Sequence, residues 1–239
     1  MHITYAQFAE MIDASALKLD TSYDDFHKLV DGCKKYDFGC AFIWPGYYPE
    51  LREALKGTKT EFGTSLSFPS GQEMTETKVH QARLFTSLGA QQVDMVMNVG
   101  WLKSRRYDQV KADISAVREA TKYTSLKVII EAMLLTDEEI TKASEIVAEC
   151  GADYVKSGTG FSAAPTTLHH VALMKQAVGN RCKIKAAGGV RTLETLTRMY
   201  ALGVTRFGIG IASAIAIAEE ALKCGDQIEI PEIRFEDYL

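Results

Sequence analysis

The sequence predicts an α/β protein built as a single (β/α)8 TIM barrel, and three observations carry that prediction. Short apolar runs that read as strands alternate with amphipathic segments that read as helices along the whole chain. The alternation gives about eight strand-helix units, and 239 residues is the length of one such barrel. No linker rich in Pro, Gly or Ser divides the chain, so residues 1–239 read as one domain with a short C-terminal tail from about residue 226. A doubly wound open sheet is the rival architecture, but it normally has fewer strands, and no G-x-G-x-x-G stands at the first turn.

The first strand is expected from Met11 to Leu17. Behind it, Phe26, Leu29, Val30 and Cys33 recur three and four apart, which puts them on one face of a helix. GCAFIWPG (39–46), EFGTSLSFPSG (61–71) and AQQVDMVMNVG (90–100) supply the next three strands, and Gly89 sits where the intervening helix should stop. LKVIIEAML (126–134) is the fifth. Thr136 and Glu139 then have capping-box spacing ahead of a helix whose apolar face is Ile140, Ala143, Ile146 and Val147, and Gly151 ends it. ADYVKSGTGF (152–161), CKIKAAGGV (182–190) and RFGIGI (206–211) complete the set, with Gly203 stopping the helix before the last strand. The tail, IEIPEIRFEDYL (228–239), is expected to fold back on the barrel or pack on a partner.

Composition narrows the function classes. Lys plus Arg is 27 and Asp plus Glu is 31, a formal net charge of −4, so neither nucleic acid nor an anionic membrane is an expected partner. No apolar run is long enough to span a bilayer. The start, MHITYAQFAEM, lacks the basic-then-apolar pattern of a secretory signal, and the expected compartment is the cytoplasm. The 5 cysteines are scattered, without a C-x-x-C pair or a histidine at zinc-ligand spacing, so they read as buried thiols and no metal site is expected.

In barrels of this kind the chemistry sits at the C-terminal ends of the strands. The polar residues read as lying late in the strand runs are Asp13 and Ser15 in the first, Asp94 and Asn98 in the fourth, Glu131 in the fifth, Lys156 and Thr159 in the sixth, and Lys183 and Lys185 in the seventh. Asp94, Glu131, Lys156 and Lys185 are embedded among apolar neighbours. Charged groups are rarely buried unless paired, so these four read as a mutually neutralising cluster aimed at one end of the barrel. Two lysines on adjacent strands imply more. A second cation and partial burial both disfavour the ammonium form, which is how an amine becomes a Schiff-base nucleophile. Asp94 within reach could shuttle protons, and no cofactor is needed because the protonated imine is itself the electron sink. Gly188-Gly189 and Gly208-x-Gly210 follow the last two strands, where backbone N–H groups bind phosphate in many barrels.

Taken together, IDASAL, SLSFPSG, GAQQVDMVMNVG, LKVIIEAMLLT, CGADYVKSGTGF and KIKAAGGVRT resemble the deoxyribose-phosphate aldolase family in order and spacing over nearly the full length. The resemblance implies a homo-oligomeric class I aldolase that reversibly cleaves 2-deoxy-D-ribose 5-phosphate to D-glyceraldehyde 3-phosphate and acetaldehyde, without a cofactor. It assigns the Schiff base to Lys156, the lowering of its pKa to Lys185, and proton transfer with water to Asp94. Asp13, Ser15 and Thr159 fall at substrate or water contacts, and Gly188 and Gly189 match the phosphate loop; Glu131 and Gly210 join the expected substrate-binding set by their own positions at the strand ends.

The chain also departs from the family pattern. Ser15 stands for the usual Thr, Lys156-Ser157-Gly158-Thr159-Gly160 for K-T-S-T-G, Phe42 lies near an expected Cys, and Gly210-Ile211 replaces a pair of phosphate-binding serines. Losing two neutral hydrogen bonds predicts a phosphate affinity lower by about one to two orders of magnitude. A different sugar phosphate or an unphosphorylated aldol is therefore the alternative substrate. A phosphosugar-binding barrel without aldolase activity is the rival from another class.

Overall fold

The computed structural model describes residues 1–239. Eight parallel strands close a barrel in chain order: β1 (Ile12–Ala16), β2 (Cys40–Ile43), β3 (Glu61–Leu66), β4 (Gln92–Val96), β5 (Ser125–Ile129), β6 (Tyr154–Lys156), β7 (Lys183–Ala187) and β8 (Val204–Gly210). Alternation along each strand separates two environments. Ile12, Ala14, Val93, Met95, Leu126, Val128, Val155, Ile184 and Phe207 face outward into the apolar core shared with the helices. The inward positions carry Asp13, Asp94, Lys127, Lys156, Lys185 and Arg206, so the lumen is ionic where such barrels are commonly filled with branched aliphatic side chains.

Register brings these charges together. Asp94 is paired across the sheet with Lys127, Lys156 with Lys185, and Lys185 with Arg206 beyond a register shift between Ile184 and Lys185. Asp13 lies opposite Gly208, which closes the barrel.

The outer layer follows the expected punctuation. Helix α1 (Tyr5–Glu10) precedes the barrel and α2 (Tyr23–Tyr36) follows β1, with Phe26, Leu29, Val30 and Cys33 buried. Next come α3 (Tyr48–Ala54), α4 (Thr75–Ser87), α5 (Val99–Lys103) and α6 (Tyr107–Ala120). Thr136 and Glu139 form the capping box of α7 (Asp137–Glu149). The remaining helices are α8 (Leu168–Val178), α9 (Leu193–Ala201) and α10 (Ile211–Lys223). Gly89, Gly151 and Gly203 each follow a helix C-cap at φ +88°, +72° and +99°.

Some boundaries differ from expectation. The sixth strand ends at Lys156, so residues 157–167 form a long loop over the barrel mouth. The fifth ends at Ile129, and Glu131 lies beyond it in the left-handed region at φ +51°. Asn98 caps α5, accepting from the Trp101 N–H at 3.0 Å. The tail folds back: Ile228–Glu229 pairs antiparallel with His2–Ile3, Ile228 and Ile230 are buried, and the last turn reaches α8 and α9. There the Tyr238 carbonyl lies 2.9 Å from His169 Nδ1, and its hydroxyl accepts from Arg198 at 2.8 Å. No helix is long and apolar enough to cross a membrane.

Candidate active site

Lys156, the last residue of β6, places its amine at the floor of a cavity of about 730 Å3 at the C-terminal end of the barrel. Its Nζ donates to Asp94 Oδ2 at 2.7 Å, and Lys185 Nζ donates to the same oxygen at 2.7 Å. Lys127 Nζ lies 3.1 Å from the other oxygen, Asp94 Oδ1. Below them, Lys185 also donates to Asp13 Oδ2 at 2.5 Å, and Arg206 Nε donates to Asp13 Oδ1 at 2.7 Å. Four basic side chains thus share two carboxylates in a buried lumen. The Phe42 ring supplies a further electron-rich surface, with Lys185 Nζ 4.4 Å and Lys127 Nζ 5.2 Å from its centroid.

The same cluster drives the two lysines in opposite directions. Burial is the largest influence on Lys156 and brings its pKa down to about 8; Asp94 opposes this, while Lys185 and Lys127 add to the lowering. Burial also disfavours charge on Lys185, but Asp13 and Asp94 outweigh it and hold its pKa above the usual lysine value. Asp94 would be raised by burial, yet Lys127, Lys156 and Lys185 hold it well below the carboxylate range. Asp13 is lowered in the same way, with Lys185, Lys127 and Arg206 overcoming its burial. Two lysines in facing register therefore divide into a permanent cation and an amine that can be neutral, the separation that distinguishes chemical roles.

Asp13, Ser15, Asp94, Lys156, Thr159, Lys185, Gly188, Gly189 and Gly210 all line this cavity. Asp13 reaches it from below, with both carboxylate oxygens occupied by Lys185 and Arg206. Ser15 Oγ donates to the Ile209 carbonyl at 3.4 Å. Glu131 does not line the cavity: its carboxylate accepts from the Thr159 N–H at 3.1 Å and the Ser162 hydroxyl at 3.0 Å, fastening the loop that follows Lys156. Lys183 lies exposed at the start of β7, 5.6 Å from the Tyr154 ring. Gly189 has φ +94°, and a Cβ there would come within 2.4 Å of Pro165 Cβ, so its backbone must stay bare against the loop.

Several residues were not foreseen. Lys127 and Arg206 complete the ion cluster, and their inward positions in LKVII and RFG were the available signal. Lys18, Lys28, Arg191 and Ser213 also line the cavity, the last in the first turn of α10. Ile211, expected where a pocket hydroxyl would stand, carries its Cδ1 toward α2: a Cβ on Gly32 would lie only 2.7 Å from it. Ile211 therefore both lines the cavity and packs α10 on α2.

A closed parallel barrel with an ionic cluster at the C-terminal ends of its strands places the protein among the (β/α)8 barrel enzymes. Residues 8–217 match the model of the DeoC/LacD family aldolases. The deoxyribose-phosphate aldolase of Staphylococcus carnosus is 44% identical over 84% of this chain and 91% of its own length. That of Mannheimia succiniciproducens is 41% identical over 88% and 93%. The tetrameric deoxyribose phosphate aldolase of Aeropyrum pernix superposes with a TM-score of 0.81 at 25% identity, covering 92% of either chain. The chain belongs to the DeoC/LacD aldolase family.

Proposed function

We propose that the protein reversibly cleaves 2-deoxy-D-ribose 5-phosphate to D-glyceraldehyde 3-phosphate and acetaldehyde through a Schiff base on Lys156. The observation that carries this reading is the pair of facing lysines that both donate to Asp94 Oδ2 at 2.7 Å, in surroundings that bring Lys156 down to about 8 and push Lys185 upward. The neutral Lys156 amine adds to the C1 carbonyl of the open-chain sugar, and loss of water leaves a protonated imine. Removal of the C3 hydroxyl proton forms the aldehyde of glyceraldehyde 3-phosphate as the C2–C3 bond breaks, and its electron pair passes into an enamine on Lys156. Protonation at C2 and hydrolysis then release acetaldehyde and restore the amine.

Asp94 is an anion in the resting cluster, with Lys127, Lys156 and Lys185 around its two oxygens. Its part is to receive the Lys156 ammonium, stabilise the iminium that replaces it, and pass protons between Lys156, Lys185 and water. Glu131 acts on substrate indirectly, by holding Thr159 in place.

The anionic arm falls to the backbone of Gly188, Gly189 and Gly210, the Ser213 hydroxyl, and the Arg191 and Lys28 side chains, all of which line the cavity. These cations and this hydroxyl favour a phosphorylated substrate over an unphosphorylated aldol. A homo-oligomer working on a small sugar phosphate in the cytoplasm is the setting this reading implies. Steady-state assays of acetaldehyde release from 2-deoxyribose 5-phosphate and from 2-deoxyribose test it. A kcat/KM at least about tenfold higher for the phosphorylated sugar is expected from one charge-assisted contact. Release of acetaldehyde from neither sugar would overturn the reading.

A further inference from the structure

The ion cluster does not stop beneath the active site. It continues through the lumen to a second cavity of about 490 Å3 at the opposite end of the barrel, where Arg206, Glu61 and Gln92 are among the lining residues. Arg206 spans the two ends: Nε donates to Asp13 Oδ1 at 2.7 Å, while Nη2 donates to the Glu10 carbonyl at 3.3 Å and lies 3.7 Å from Glu61 Oε2. Space for the chain of charges comes from small inward residues. A Cβ on Gly208, which neighbours Asp13 across the sheet, would lie 3.2 Å from Lys185 Cε and 2.9 Å from Ala187 Cβ.

We infer that Arg206 is a positioning residue for the reaction, acting from the far end of the barrel through Asp13 and Lys185 on Lys156. This rests on Lys156 being the Schiff-base lysine.

Arg206 occupies one oxygen of Asp13 and leaves the other to Lys185, which is then shared between Asp13 and Asp94. Without the guanidinium, both oxygens of Asp13 become available to Lys185 and to Lys127, whose Nζ already lies 3.7 Å from Oδ2. Lys185 would shift toward Asp13, and Asp94 would then hold the Lys156 ammonium more tightly. Removing a nearby positive charge acts in the same direction, since both favour the charged form of Lys156. The groups facing Arg206 and this path are Asp13 on β1, Cys40 on β2, Glu61 on β3, Asp94 on β4, Lys127 on β5, Tyr154 and Lys156 on β6, and Lys185 on β7, while Tyr5, Glu10, Asp37 and Lys59 line the far cavity with it. Neither a thiol nor a phenol carries positive charge in any protonation state, so Cys40 and Tyr154 cannot replace the lost cation.

The test is the pH dependence of borohydride trapping by acetaldehyde in the wild type, Arg206→Gln and Arg206→Lys, with folding followed by thermal denaturation. Arg206→Gln keeps a donor toward Asp13 but removes the charge, and its trapping midpoint should move to higher pH by roughly half to one unit, a three- to tenfold lower rate near neutrality. Arg206→Lys restores the charge and should return the midpoint toward the wild type. If Arg206→Gln is not recovered folded, Arg206→Met replaces it with the same expectation. An unmoved midpoint in a folded neutral variant, or equal shifts in the Gln and Lys variants, would overturn the inference. A wild type that forms no adduct at Lys156 would instead overturn the assignment of the nucleophile.

Discussion

The reactivity of Lys156 is a matter of how much neutral amine it presents. With a pKa near 8 about a tenth is neutral at pH 7, against about one part in three thousand for a lysine at 10.5, a gain of roughly three hundredfold. Burial supplies most of this and the neighbouring cations the rest, with Asp94 working against it. Substitutions in the cluster should therefore move the pH profile in opposite directions. Lys185→Leu removes a cation and leaves Asp94 to Lys156, so both effects raise the Lys156 pKa. The activity profile should move to higher pH by about one unit, with turnover at neutral pH down tenfold or more. Asp94→Asn removes the carboxylate that favours the ammonium, so the trapping midpoint should fall. Turnover should nevertheless drop by about a hundredfold because proton transfer and iminium stabilisation are lost. Kinetics over pH 6 to 10 check both, and shifts of the same sign would show that charge does not set the reactivity of Lys156.

At the scale of single elements, α10 meets both the cavity and the outer layer, and its first residues divide between them. Gly210 has nothing within 4 Å of an added Cβ, so Gly210→Ser should be accepted and should lower KM for the phosphorylated sugar by a few-fold, as one added hydrogen bond allows. Ile211 is 6% exposed and packs toward Gly32 of α2. Ile211→Ser should cost about 2–4 kcal/mol of stability, read by denaturant unfolding, with little gain in substrate affinity. A serine at 211 that tightened binding without loss of stability would show that the cavity, which Ile211 also lines, and not the contact with α2 sets the residue's role.

Within the strands, part of the site was legible in the sequence. Asp94, Lys156 and Lys185 stood out because a charged residue inside an apolar strand needs a partner. Lys127 and Arg206 occupy the same kind of position, but they stand at the start of the runs LKVII and RFG and so fall outside the set of late polar residues. Only the register, which sets Asp94 against Lys127 and Lys185 against Arg206, shows that they belong to the cluster. Glu131 presents the converse case. It lies late in an apolar run, yet the strand ends before it and a left-handed residue turns its carboxylate toward the 159–162 loop. Periodicity reports which face a strand residue takes; it says nothing once the strand has ended.

Over the whole molecule, the barrel closes its own sheet, and the two termini are fastened to each other outside it. The strand-helix alternation was sufficient to read the architecture because each unit obeys the same period and stop signals. The tail was ambiguous between the barrel and a partner because its Ile228 and Ile230 would suit either; the pairing with His2–Ile3 shows the barrel is what they cover. Removing residues 226–239 would expose Ile3 and forfeit that burial. At about 1.5–3 kcal/mol for each buried isoleucine side chain, the melting temperature should fall by several degrees. An unchanged melting temperature would mean that the tail contributes no net stability.

The claim on which the chemistry depends is that one particular lysine carries the covalent intermediate. Treating the protein with acetaldehyde and borohydride, then locating the adduct by peptide mass spectrometry, measures this directly. An ethyl group fixed on Lys156, formed faster as pH rises through about 8, is the expected result. An adduct confined to Lys185 or Lys127, or no adduct at any lysine, would contradict it.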